Sequence, residues 1–338
     1  MKLSVMVTTY NLRDFVAETL DSILTQKTDF DYEILVGDDG STDGTIDIVQ
    51  EYVDKYPKKV FLYVMDRDSD KKYNRISRAS RNRLNLLRHA KGEYGTFLDG
   101  DDVYNCECKL QKQIELLDAP EYRNCVACAH NIWKYWDENN KGLMCPWKKQ
   151  FVASGKDIWR DLMYFHSDTI VFRNIFSNEI LCTIPQDYFD DNIILYSLLP
   201  FGNVLYIPEA MVNYRQVEGS SWNSVDDAEK HIINMIDVDV EHIMNPDYSY
   251  ESVIRHMGNV FYLWRNRKSI PKETKSKFEN QIKADDLKWA GLFVNYDSLS
   301  MKERVRLGLW VYWHLLLFSF NKARKTIVMR KWMQYEFY

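Results

Sequence analysis

Two acidic turns, each hung on the end of an apolar, β-prone run, constrain this chain more than any other feature. The first is Val36-Gly37-Asp38-Asp39-Gly40-Ser41-Thr42-Asp43-Gly44-Thr45, and the second is Phe97-Leu98-Asp99-Gly100-Asp101-Asp102. Residues 2–9, Tyr32–Gly37, Val60–Met65 and Tyr94–Leu98 read as strands. Between them lie helical patterns at 14–26, with Asn11 or Asp14 as cap, at Thr45–Lys55, with Ser41 or Asp43 as cap, and at Ser77–Ala90. Strand and helix in alternation predict an α/β fold with a mostly parallel central sheet flanked by helices. In such open sheets ligands bind beyond the carboxyl ends of the strands, where both acidic turns fall.

Past Leu110 the pattern loosens. Cys125–Trp136 and Thr169–Phe172 read as strands, Asp187–Leu199 as a helix, and Val204–Ile207 and Ala210–Tyr214 as short runs split by Pro208. Residues 225–262, 274–293 and 301–332 are helix-prone. The expected division is an α/β domain over 1–222 and a helical C-terminal region over 223–338.

The second turn crowds three carboxylates into four positions, where they repel and raise one another's pKa. A hard divalent cation relieves that cost, and Mg²⁺ in particular takes one or two carboxylates and fills its shell with water and substrate phosphates. The first turn can recognise a nucleoside, with Asp39 accepting hydrogen bonds from base or ribose. The chain has neither GxxxxGK[ST] nor GxGxxG, which argues against a P-loop NTPase and a dinucleotide enzyme. A net charge of -5 argues against a nucleic-acid partner. Six cysteines in 338 residues are too few for a disulfide framework, and the CxC at 106–108 and CxxC at 125–128 are expected to be reduced thiols. The first ten residues turn polar too soon for an apolar signal core, so a cytoplasmic location is expected.

Four features together resemble the family-2 inverting glycosyltransferases with the GT-A fold, across about residues 2–222. They are Ser4–Asn11, the Asp38–Thr45 turn, Ala90–Tyr94 leading into Asp99-Gly100-Asp101, and Asp190-Asp191 followed by a helix and Tyr214-Arg215. The resemblance implies that Thr8, Tyr10 and Asp39 contact the nucleotide, whose base is uracil or thymine. It implies Asp99 near the ribose or donor sugar, Arg78 or Arg81 at the diphosphate, with Arg83 a further candidate, Asp101 on Mn²⁺ or Mg²⁺, and Asp191 as general base. The implied reaction is a metal-dependent, inverting transfer from a nucleotide sugar to a saccharide or polyprenyl-linked acceptor, in surface polysaccharide synthesis. His166, Tyr214 and Trp222 are candidate acceptor or donor contacts, and Arg215 fits an ion pair or a phosphate contact. The alternatives are a nucleotidyltransferase, which would want a more basic first turn, and an inactive sugar-nucleotide-binding or scaffold protein, which would not keep its acids.

Residues 301–338 carry eight basic and two acidic side chains around Leu307–Phe320, an aromatic and aliphatic run too short to span a bilayer. An interfacial helix placing Leu309, Trp313, Leu316 and Phe320 toward lipid is expected on the inner face of the cytoplasmic membrane. A core helix or an oligomer contact are the other readings of this run.

Overall fold

The computed structural model describes residues 1–67, 75–161, 163–184, 186–187, 189–216, 226–234, 259, 262–263, 265–266, 268–274, 300–302, 304–305, 308–309 and 312–313. In chain order the first half runs β1 (Leu3–Thr9), α1 (Val16–Leu24), β2 (Tyr32–Asp38), α2 (Thr45–Lys55), β3 (Val60–Val64), α3 (Arg75–His89), β4 (Tyr94–Asp99), β5 (Val103–Tyr104) and α4 (Lys109–Asp118). Then follow β6 (Cys125–Asp137), β7 (Asn140–Leu143), β8 (Phe151–Ala153), α5 (Gly155–Asp161), β9 (Val171–Arg173), α6 (Asn178–Thr183), α7 (Asp191–Leu198) and β10 (Asn203–Arg215). The strands form one sheet in the order β3-β2-β1-β4-β9-β6-β10-β5, with β7 on β6 and β8 on β10.

The expected α/β architecture is the one observed. β1, β2, β3 and β4 pair in parallel. All seven residues of β2 are buried, which is the consequence of a near-continuous apolar run covered on both faces. Antiparallel pairing enters at β9, which lies between β4 and β6. Pro208 does not split the last strand. Its register against β6 is irregular between Ile207 and Ala210, and that bulge absorbs the missing amide donor.

Helix α3 is seated on the sheet by one close approach. Asn82 Nδ2 donates to the Gly37 carbonyl at 2.7 Å. A Cβ at Gly37 would lie 2.1 Å from Asn82 Oδ1, so only glycine admits this contact. The helix boundaries differ from the sequence reading in several places: α3 starts at Arg75 and not Ser77, and the N-cap of α2 is Gly44, with φ of 99°, and not Ser41 or Asp43. α1 starts at Val16 behind Phe15, so neither Asn11 nor Asp14 caps it. The helix expected from Asp187 starts at Asp191.

Residues Met1–Gly155 with Tyr164–Val217 form one compact unit, and Lys156–Met163 with Glu218–Tyr338 form another. Within the second unit His231 stacks on Tyr262 at 3.9 Å and pairs with Asn259 at 2.8 Å. Trp222, Leu316 and Phe320 lie outside the described residues, as does the chain from 314 onward.

His130 in β6 is fully buried, with Nδ1 against the Asn131 carbonyl and no partner at Nε2. Burial pushes its pKa well below the ordinary histidine value, and Lys109 adds to the shift. The unfolded chain therefore gains a proton below about pH 6.5 that the folded chain refuses, and stability falls as pH drops below that value. This term is at most about 1.4 kcal/mol per pH unit. Thermal unfolding of wild type and His130→Phe between pH 7.5 and 5 should show a shallower acid loss in the variant.

Candidate active site

Helices α3 and α7 and the stretch before β9 converge where β1, β2 and β4 end. Asp38 and Asp39 close β2, yet they do different work. Asp38 is fully buried and accepts from Thr9 Oγ1 at 2.8 Å, Ser41 Oγ at 2.6 Å and the Ser41 amide at 2.7 Å. It holds the turn and is spent on it. Asp39 is instead gripped by two arginines. Arg78 Nε donates to Oδ2 at 2.7 Å, and Arg67 Nη2 reaches the same oxygen at 3.2 Å. The Arg67 guanidinium also lies 3.7 Å above the Tyr10 ring, a cation–π contact. Tyr10 and Asp39 thus share one wall, with Arg78 on the carboxylate itself.

The second turn is tight for a steric reason. A Cβ at Gly100 would lie 2.6 Å from Thr9 Cγ2 and 2.8 Å from the Thr8 carbonyl. Thr8 Oγ1 donates to Asp99 Oδ1 at 2.7 Å, so Thr8 orients a carboxylate of the site. Arg83 Nη2 lies 3.1 Å from Asp99 Oδ1 and 3.4 Å from Asp191 Oδ1. Burial alone would lower the Arg83 pKa, but Asp99 and Asp191 outweigh it and the guanidinium is held charged. Of the three candidate arginines, Arg83 is therefore the one between the carboxylates. Arg81 donates to Asp187 at 2.9 Å.

The adjacent acids at 190 and 191 also separate. Asp190 is the N-cap of α7, its Oδ1 accepting from the Ile193 amide at 3.0 Å. Asp191, the first residue of the helix, accepts from Tyr164 Oη at 3.0 Å and faces His166 Nε2 at 3.7 Å. Burial would raise its pKa, but His166 and Arg83 hold it below the usual carboxylate range. It is an ionised carboxylate at neutral pH.

Behind these lies a carboxylate that the sequence reading missed. Asp168 is fully buried, its Oδ1 accepts from the Asp99 amide at 3.3 Å, and its Oδ2 faces His166 Nδ1 at 3.6 Å without a hydrogen bond. Burial pushes it up to about 6. Asp101 is pushed up to about 7 by burial and by Asp99. Burial and the neighbouring Asp168 raise Asp102 well above its ordinary value, and Asp102 Oδ1 accepts from the Arg215 amide at 2.7 Å. The Arg215 side chain is taken by Glu18 at 2.6 Å, an ion pair, and the Tyr214 ring lies 4.6 Å from that of His166.

So many raised carboxyls mark an excess of negative charge that a cation would relieve. Asp99, His166 and Asp168 offer ligand atoms that all lie within 4.8 Å of one another. Among the described residues this is the set that could hold an ion, and Asp101 adjoins it without belonging to it. The unpartnered Oδ2 of Asp168 fits such a ligand, as do the oxygen donors that Mg²⁺ and Mn²⁺ prefer.

The family model described as glycosyl transferase family 2 matches residues 4–180. The chain is 26% identical over 236 residues to an uncharacterised protein of Mycobacterium tuberculosis, a match spanning 66% of this chain and 61% of that one. It is 38% identical over 112 residues to the poly(ribitol-phosphate) beta-glucosyltransferase of Bacillus spizizenii, spanning 33% of this chain and 16% of that one. In fold it is similar to residues 1–349 of Staphylococcus aureus TarS, crystallised with UDP, with a TM-score of 0.57 at 17% identity over 98% of this chain and 92% of that one.

Proposed function

The chain belongs to glycosyl transferase family 2, with its GT-A fold, and on that premise we propose that it is a hexosyltransferase. It moves a sugar from a nucleoside-diphosphate donor to a hydroxyl of a saccharide or polyprenyl-linked acceptor, in surface polysaccharide synthesis. The observation that carries this reading is the pair of carboxylates, Asp99 and Asp191, spanned by the single Arg83 guanidinium at 3.1 and 3.4 Å. One belongs to the strand-end turn that would meet the donor, and the other opens a helix from which a base can reach the acceptor.

In this reading Tyr10 and Asp39 bind the base, a uracil or thymine, after Arg67 gives way. The TarS fragment crystallised with UDP makes a uridine nucleotide the first donor to test. Arg78 stays on Asp39, close enough to help fix the nucleoside, and Arg81, which donates to Asp187, is assigned to the diphosphate. Asp99, oriented by Thr8, faces the ribose or the sugar. Asp191 accepts the acceptor's proton on the opposite face of the sugar, and Tyr164 and His166 hold it in place. A single displacement of this kind inverts the anomeric centre. A Mn²⁺ or Mg²⁺ held by Asp101 or by Asp99, His166 and Asp168 would neutralise the departing diphosphate as a Lewis acid.

The tail is the proposed membrane contact. No helix among the described residues is long and apolar enough to cross a membrane. Met301, Val305, Leu309, Tyr312 and Trp313 are all exposed, and their spacing puts them on one helical face. That face, flanked by cations, suits an anionic lipid surface, which would bring the enzyme to a lipid-linked acceptor from the cytoplasmic side.

Asp191→Asn should lower kcat by about 10² to 10⁴ and leave donor affinity nearly intact. Asp190→Asn keeps a capping oxygen, so it should cost stability modestly and activity little. Steady-state kinetics with titrated donor checks both, and the reverse ranking would contradict the assignment of the base.

Mn²⁺ should raise the unfolding temperature of the wild type, since a ligand at 100 times its Kd adds about 2.7 kcal/mol to stability. Asp101→Asn should abolish that shift, and chelation should stop turnover. A shift that survives Asp101→Asn but is lost in Asp168→Asn would move the ion from Asp101 to the His166 set. Full turnover after exhaustive chelation would contradict metal dependence.

The chain should co-sediment with anionic vesicles, less so at high salt, and weakly with neutral ones. Replacing both Leu309 and Trp313 by Ser should weaken the binding. Equal, negligible sedimentation of both forms would remove the membrane role and leave an oligomer contact or a packed helix.

A further inference from the structure

The connector between β5 and α4 carries Cys106-Glu107-Cys108. The two sulfurs lie 3.1 Å apart. That is inside the roughly 3.5–4.0 Å at which unbonded heavy atoms ordinarily settle. Cys106 is half-buried and Cys108 exposed, so a solution reagent can reach the pair.

The backbone of the connector holds the sulfurs together. Gln26 clamps it from both sides, its Nε2 donating to the Cys106 carbonyl at 2.7 Å and its Oε1 accepting from the Leu110 amide at 3.1 Å. The Lys27 amide donates to the Glu107 carbonyl at 2.7 Å, and the Asn105 amide to the Met211 carbonyl at 3.1 Å. Cys108 is also the N-cap residue of α4, a position whose unpaired N–H groups favour a thiolate. The Cys106 sulfur beside it works the other way and pushes the Cys108 thiol up.

The remaining cysteines lack this arrangement. Cys125 and Cys128 are three residues apart on one extended strand, so their side chains leave on opposite faces. Cys182 is exposed, and among the described residues it has no disulfide or sulfur contact.

We propose that Cys106 and Cys108 form a reversible disulfide, a redox modification site on the connector from the Asp99–Asp102 turn to α4. With a small disulfide oxidant such as oxidised glutathione, one protein thiolate attacks the oxidant's S–S bond and expels one glutathione thiolate. The neighbouring protein thiolate then attacks the protein sulfur of that mixed disulfide and expels the second. Two protein thiols lose two protons and two electrons, and the oxidant becomes two molecules of reduced glutathione. Going from 3.1 Å to a bond of about 2.0 Å moves the sulfurs by only about 1 Å. Being exposed, the bond is of the kind that thiols reduce readily.

The test treats the folded full-length chain with oxidised glutathione, quenches with acid, alkylates and maps peptides by mass. The peptide holding Cys106 and Cys108 should be two hydrogens lighter, with no adduct and no alkylation, and dithiothreitol should reverse this. Cys182 should carry a glutathione adduct. In Cys106→Ser, Cys108 should keep an adduct that it cannot resolve. Recovery of the wild-type peptide with both thiols alkylated, or with a persistent glutathione adduct on either, overturns the proposal.

Discussion

The Arg83 guanidinium, buried between Asp99 and Asp191, is the interaction on which the rest of the site depends. Five acids, Asp99, Asp101, Asp102, Asp168 and Asp191, meet in a space largely closed to water, and their mutual repulsion would drive them apart or protonate them. One fixed cation sits between Asp99 and Asp191, and with His166 it holds Asp191 ionised. The other three, Asp101, Asp102 and Asp168, are pushed upward. Burial is the first cause of each rise, and the crowded carboxyls carry an excess of negative charge of the kind that a divalent ion would relieve.

The same economy explains why neighbouring acids do not duplicate one another. Asp38 is consumed by the turn that presents Asp39, and Asp190 by the helix that presents Asp191. In each pair the first residue builds the backbone and the second faces the site. The glycine at 37 and the glycine at 100 serve the same end, because each admits a contact that a side chain would block.

Much of this was legible in the residues. The parallel half of the sheet follows from alternating apolar and helical periods, and the site edge follows from acids that end the strands. Other parts were not. Tyr164 and Asp168, on either side of the candidate His166, come from a stretch with no strand-end signature, and the antiparallel insertion of β9 beside β4 carries Asp168 to Asp99. The choice among arginines was equally hidden, since Arg78, Arg81 and Arg83 lie within six positions of one helix and differ only in which way each points. Helix α4 went unread because its first residue is the fully buried Lys109, a lysine where the pattern calls for an apolar side chain. The bulge that lets Pro208 stay within β10 is a tertiary fact with no local marker.

We infer that Asp191 works as a base opposite the leaving diphosphate, in one displacement across the space that Arg83 spans. The stereochemistry of the product tests it most directly. With a donor whose sugar is α-linked to the diphosphate, the anomeric proton coupling in the first-formed product, followed by NMR, should report a β linkage. An α-linked product would mean a retained configuration, and would contradict both the single displacement and the role given to Asp191.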